Sequence, residues 1–143
     1  MTDFKRVFFD TAPFIYYIEG AESQYEYYNK VKNFIRNGYE QKIEFCTSVV
    51  TYEEYLVFPY KNKRQILVDT FERLIDTLEI EVVPIDVEIA KKAAKIRAEY
   101  KAFKAMDSLQ LATACVKQCD VFLTNDYQLR QFKETKCITV GEL

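Results

Sequence analysis

The chain has 143 residues, 49% apolar and 29% charged, with 3 glycines and 3 prolines, so it is long enough to bury a real core and poor in flexible linkers. It contains no histidine, which excludes serine–histidine and cysteine–histidine nucleophile pairs, histidine acid–base pairs and histidine-ligated zinc. A net charge of −2 gives no global attraction to nucleic acid, so any such binding needs a local basic patch or bound cations.

Arg6 to Asp10 reads as a short buried strand ending in an aspartate. Pro13 suits the first turn of a following helix, whose apolar residues Phe14, Ile15, Tyr17 and Ile18 precede a stop at Gly20. Ser23 is expected to cap a second helix, with Glu26 completing a capping box and Gly38 ending it. The stripe of Tyr27, Val31, Phe34 and Ile35 has helical spacing. Residues 43–47 form a second strand, and Ser48 caps a helix that breaks near Pro59. After the polar stretch Lys61 to Arg64, a helix passes through Ile66, Leu67, Phe71, Leu74 and Leu78. Residues 80–84 form a third strand, and Asp86 caps a helix from Val87 to about Tyr100. A helix beginning at 105–107 has its body at Leu109 to Val116, and residues 120–124 form a fourth strand. A short helix from Tyr127 leads to a last strand at 137–140. Strands alternating with helices predict an α/β fold with a mostly parallel sheet covered on both faces. Strand order is not readable from this pattern. A single domain over residues 1–143 is expected, without repeats.

No apolar run approaches the ~20 residues of a membrane span, and Met1 to Arg6 lack the long apolar stretch of a signal peptide, so a cytoplasmic protein with no membrane partner is expected. The cysteines, Cys46, Cys115, Cys119 and Cys137, are then expected to be reduced. Cys115 and Cys119 stand four apart, but no CxxC pair or histidine completes a zinc set, and they read as small core residues.

Two carboxylates, Asp10 and Asp126, follow predicted apolar strands at their carboxyl ends, the edge where open α/β sheets bind ligands. Asp107 opens the helix before strand four, and that helix start points to the same edge. Glu54, six residues after Ser48, faces it too if its helix begins there. Each residue has a simpler reading: Asp10 as a helix cap, Asp107 as a first-turn charge, Asp126 as a turn residue, Glu53 and Glu54 as a solvated face. Cap and turn roles do not require one common edge, so the joint placement carries the argument. Carboxylates held together raise one another's pKa, and a divalent cation relieves the repulsion. All-oxygen ligands fit magnesium or manganese.

Residues 7–11 (Val-Phe-Phe-Asp-Thr) resemble the opening strand and Asp-Ser/Thr of PIN-domain nucleases. Residues 48–56 resemble the family's segment with a central glutamate, and Glu54 matches that position better than Glu53. Residues 103–114 resemble its aspartate and Ala-rich helix, and residues 122–126 its fourth motif. The overall length is similar to that of VapC-type toxins of toxin–antitoxin pairs. The resemblance implies a Rossmann-like, three-layer, five-stranded sheet in the order 3-2-1-4-5. It further implies Mg²⁺ or Mn²⁺ dependence, cleavage of RNA, a homodimer, and often a small antitoxin encoded next door. One departure is that Thr124-Asn125-Asp126 lacks the arginine many relatives carry after the threonine.

On this reading Asp10, Asp107 and Asp126 would hold one or two ions, with Glu54 as ligand or as a water-orienting base. Thr11, Thr124 and Asn125 are candidates for orienting the carboxylates or a bound water. Lys101 and Lys104, or Lys61, Lys63 and Arg64, are candidates for phosphate contacts, or ordinary solvated lysines and arginine. Tyr16, Tyr17, Tyr25, Tyr27 and Tyr28 either stack on bases or fill a core or protein interface. The competing readings are a catalytically inactive RNA- or protein-binding module, and another metal-dependent phosphatase or nucleotide hydrolase. No P-loop or GxGxxG is present, and Ala12 stands where an aspartyl phosphatase usually has its second aspartate.

Overall fold

A computed structural model of the chain describes residues 4–143. Five strands form one sheet: β1 (Arg6–Phe9), β2 (Glu44–Ser48), β3 (Glu81–Val83), β4 (Val121–Thr124) and β5 (Lys136–Thr139). Their order is β3-β2-β1-β4-β5 and every pairing is parallel. Six helices connect them: α1 (Thr11–Ser23), α2 (Tyr25–Glu40), α3 (Val49–Lys61), α4 (Gln65–Thr77), α5 (Val87–Glu99) and α6 (Ala105–Val116). A 3₁₀ turn at Tyr127–Gln131 links β4 to β5.

The strands are apolar on both faces, as a doubly covered parallel sheet requires. Side chains alternate across the sheet, so Val7 and Phe9 point one way and Phe8 the other. Val7, Phe9, Phe45, Val121 and Leu123 pack under α1 to α4, against Phe14, Val31, Ile35, Tyr55, Phe71 and Ile75. Phe8, Cys46, Val83 and Phe122 pack under α5 and α6, against Ile89, Ile96 and Leu111. Aromatic pairs reinforce both layers: Phe8 and Phe122 stack at 5.2 Å between ring centroids, and Phe71 meets Phe14, Tyr52 and Tyr55 at 5.5, 4.9 and 4.7 Å. Burying each such ring stabilises the fold by roughly 2–3 kcal/mol.

Four expected boundaries are corrected. Helix α1 does not stop at Gly20 but runs to Ser23. Gly20 is buried within it, and a Cβ there would sit 3.4 Å from Tyr28 Cβ, so this glycine serves the close approach of α1 and α2. Ser23 therefore belongs to α1, and Gln24 is the N-cap of α2, without a side-chain capping bond; the expected Ser23–Glu26 capping box is not formed. Gly38 does not end α2, which continues to Glu40. A Cβ at Gly38 would come within 2.7 Å of Phe45 Cζ, so packing against the sheet selects glycine there. Pro59 lies inside α3, which runs on to Lys61, so it removes only one backbone bond in the final turn. The expected caps at Ser48 and Asp86 are observed, accepting from the amides of Val50 and Ile89. Cys119 falls beyond the end of α6, not within it, and all four cysteines are free thiols. No helix among the described residues is long and apolar enough to cross a membrane.

Candidate active site

Parallel strands deliver their carboxyl ends to one edge, and the residues just beyond β1 and β4 are Asp10 and Thr124-Asn125-Asp126. Asp10 is both the N-cap of α1 and a member of this edge. Its Oδ1 accepts from the Thr11 amide at 2.9 Å and its Oδ2 from the Thr124 hydroxyl at 2.8 Å. Thr124 in turn accepts from the Asp126 amide at 3.1 Å, so one hydroxyl ties the two acidic segments together. Asp126 caps the 3₁₀ turn through the Gln128 amide at 3.0 Å.

Glu54, on α3, reaches the same place: the Thr11 hydroxyl donates to its Oε1 at 2.6 Å. Asp107 stands in the first turn of α6, half-buried. Electrostatics links the set. Burial pushes the Asp10 carboxyl up to about 6, against the hydrogen bonds from Thr124 and Thr11 and with help from the charges of Glu54 and Asp107. Asp107 is also raised, first by burial, then by the charges of Asp126 and Glu54, while Lys104 opposes the shift. Glu54 thus acts through space on both Asp10 and Asp107, Asp107 on Asp10, and Asp126 on Asp107.

Thr11 and Thr124 each bond a carboxylate directly. Asn125 does not: its amide donates to the Tyr16 hydroxyl at 2.6 Å. Its Oδ1 is buried and has no hydrogen-bond partner among the described residues. Lys101 and Lys104 are exposed, and Lys104 immediately precedes α6. Lys61, Lys63 and Arg64 are exposed between α3 and α4.

Sequence reasoning missed the polar layer beneath the carboxylates. Gln110 is buried, and its amide donates to Thr51 Oγ1 at 2.8 Å and lies 3.4 Å from Asp10 Oδ1. Its carbonyl accepts from Ser48 Oγ. Thr47 and Thr51 share a 2.8 Å bond, and Thr47 also reaches the Phe9 carbonyl. The available signal was spacing: Gln110 stands three residues after Asp107, on the same helix face, and is the one amide side chain among apolar and small residues there.

Among the described residues, no group of three or more acidic or cysteine side chains is gathered tightly enough to hold a metal ion as it stands. The donor chemistry nonetheless suits a hard cation: the candidate donors are all carboxylates, and burial together with neighbouring carboxylate charge disfavours ionised Asp10 and Asp107 in the absence of a positive charge.

The PIN domain family model matches residues 7–135, and the chain belongs to the PIN domain family. The fold is similar to that of VapBC2 from Rickettsia felis bound to a promoter DNA fragment, with a TM-score of 0.71, 14% identity, and coverage of 94% of this chain and 98% of that one. A toxin–antitoxin complex from Klebsiella pneumoniae gives a TM-score of 0.70 at 21% identity, covering 96% and 99%. FitAB bound to the IR36 DNA fragment gives 0.74 at 19% identity, covering 96% of each chain. A comparison with curated protein sequences returns no match.

Proposed function

We propose that this chain is a metal-dependent endoribonuclease acting in the cytoplasm. One observation carries the reading most directly. Acidic residues from four distant segments, Asp10, Glu54, Asp107 and Asp126, lie toward the carboxyl edge of a parallel sheet; Asp10 is raised by burial and then by the charges of Glu54 and Asp107, and Asp107 by burial and then by those of Asp126 and Glu54. A fold tolerates such a cluster when a cation joins it. Membership of the PIN family, together with the motif resemblance to its nucleases, supports the same reaction class.

Asp10, Asp107 and Asp126 would hold Mg²⁺ or Mn²⁺, with Glu54 as a further ligand or as the base that orients water. When bound, the ion supplies a more acidic water and positive charge beside a scissile phosphate. Thr124 orients Asp10 by donating to its Oδ2, and Thr11 orients Glu54 by donating to its Oε1. Gln110 fixes Thr51 and Ser48 beneath them. Lys104, whose charge favours ionised Asp107, would meet an RNA phosphate, with Lys101 beside it.

Solved relatives described as toxin–antitoxin complexes support a protein antitoxin as partner, and the resemblance to VapC-type toxins supports a homodimer. The test is cleavage of labelled tRNA and mRNA by purified protein with Mg²⁺, Mn²⁺ or EDTA, beside an Asp10→Asn, Asp107→Asn variant. Metal-dependent cutting lost in EDTA and in the variant is expected. A folded wild type that binds Mn²⁺ and RNA without cutting would favour an inactive binding module. Cutting that survives in the variant would mean that other residues carry the reaction.

A further inference from the structure

Beside the carboxylates, and unused by them, lies an aromatic hollow of about 310 Å³ lined by Tyr16, Tyr27, Gln24 and Glu26. The rings of Tyr16 and Tyr27 stand 4.9 Å apart at a tilt of 57°. Neither ring is fully buried. Asn125 joins the hollow to the acidic edge. Its neighbours in the chain are Thr124, bonded to Asp10, and Asp126, and its own amide donates to the Tyr16 hydroxyl. The Asn125 Oδ1 is buried and has no hydrogen-bond partner among the described residues.

Tyr127, which follows Asp126, brings a third phenol to the same place. Its hydroxyl and that of Tyr27 both lie against Gly141, and its ring is 55% exposed. The partly exposed faces of Tyr16 and Tyr27 offer a flat aromatic surface next to the acidic edge, which suits a ligand that brings a π-face of its own. Gln24 carries no capping bond and sits at the rim with Glu26, giving such a ligand a polar edge to read.

We propose that Tyr16 and Tyr27 form a stacking subsite for one unpaired base of single-stranded RNA, set next to the carboxylate edge by Asn125. This rests on the RNA-binding part of the proposed function and not on the cleavage step. Stacking on a tyrosine tolerates any base and depends little on salt, because it neutralises no phosphate. A phosphate contact behaves in the opposite way.

The probe is a labelled single-stranded RNA decamer of mixed sequence, bound to full-length protein in EDTA and followed by anisotropy over a range of KCl. Tyr16→Leu and Tyr27→Leu are each expected to weaken binding roughly tenfold with an unchanged salt slope. Tyr16→Phe keeps the ring and should retain most of the affinity. Tyr39→Leu, an exposed tyrosine at the far edge of the sheet, should bind like wild type. A decamer of abasic nucleotides should bind wild type as weakly as the mixed decamer binds the leucine variants. Leucine variants that keep the wild-type circular dichroism spectrum and bind RNA with wild-type affinity would overturn the subsite, as would a wild type that binds no RNA. So would a loss of binding accompanied by a change of oligomeric state in light scattering, which would make the hollow a protein interface. Wild type that binds with these ring dependences but never cuts RNA would refute the nuclease reading alone and leave the subsite standing.

Discussion

Replacing Asp10 by asparagine changes one atom of a buried carboxyl and removes its charge. In the metal-free protein that charge is a burden: the folded carboxyl titrates near 6 against an ordinary value of 3.8, chiefly because it is buried. A shift of about 2 units corresponds to about 3 kcal/mol of destabilisation once the group is ionised in both states. The folded pKa is the higher one, so the penalty is absent below the ordinary value, grows as pH rises through the folded value, and is complete above it. Asparagine keeps an acceptor for the Thr11 amide but turns an N–H toward Thr124, whose hydroxyl already accepts from the Asp126 amide. The strained hydrogen bond returns about 1 kcal/mol, leaving a net gain of about 2 kcal/mol, or roughly 6 °C in Tm. Differential scanning calorimetry in EDTA should show Asp10→Asn more stable than wild type at about pH 8, with the gain fading by about pH 4. Saturating Mg²⁺ should raise wild type and not the variant, closing the gap. A variant less stable than wild type at about pH 8 in EDTA, or a difference independent of pH, would refute the reasoning.

The polar layer gives further tests. Thr124→Val keeps shape but removes the hydroxyl that holds the Asp10 carboxyl down, so carbon-detected NMR titration in EDTA should find Asp10 above its wild-type value of about 6. An unchanged or lower value would contradict the assigned bond. Gln110→Leu buries the Ser48 and Thr51 hydroxyls without their partner and should cost about 1–3 kcal/mol in urea unfolding; a neutral result would mean that the network relaxes onto water. Gly38→Ala should destabilise by about 1–3 kcal/mol although alanine is the better helix former, because its Cβ meets the Phe45 ring. Restoration by Phe45→Leu on that background would identify the clash, and a stabilised Gly38→Ala would exclude it.

The strands and the acidic edge were legible in the sequence because two periodicities meet there. Val7 to Phe9 and Val121 to Leu123 are continuous buried apolar runs, as a doubly covered strand requires, and each is followed at once by a residue of the edge. Asp107 was legible as the start of a helix that must run back across the sheet. The helix ends were less so, since glycine answers to two demands. At Gly20 and Gly38 the demand was room for Tyr28 and for Phe45, which depends on residues distant in sequence or on another element. Ser23 then looked like a cap only because Gly20 looked like a stop. Asn125 was a candidate for orienting the carboxylates or a bound water, yet its amide donates to Tyr16, in α1. Adjacent residues leaving a strand point in different directions, so nearness in sequence to Asp126 said little about its partner.

Gln110 shows why the second layer stayed hidden while the carboxylates did not. A charged group at the end of an apolar strand is costly and therefore conspicuous. An amide inside an Ala-rich helix has an ordinary propensity and no visible penalty, and its partners, Ser48, Thr51 and Asp10, come from three separate stretches of chain. The layer has a physical consequence for the charges above it. Neutral hydroxyls and one amide supply donors to Asp10 and Glu54 without adding a fixed positive charge that would compete with a cation. A lysine or arginine in the place of Gln110 would relieve the repulsion permanently and remove the reason for an ion to bind. The arrangement instead holds Asp10 and Glu54 by neutral donors, and among the described residues none of the four carboxylates forms a salt bridge. Gln110→Lys should therefore lower Mn²⁺ affinity in calorimetry far more than Gln110→Glu, which adds a negative charge, and equal losses in the two variants would mean that position and not charge decides.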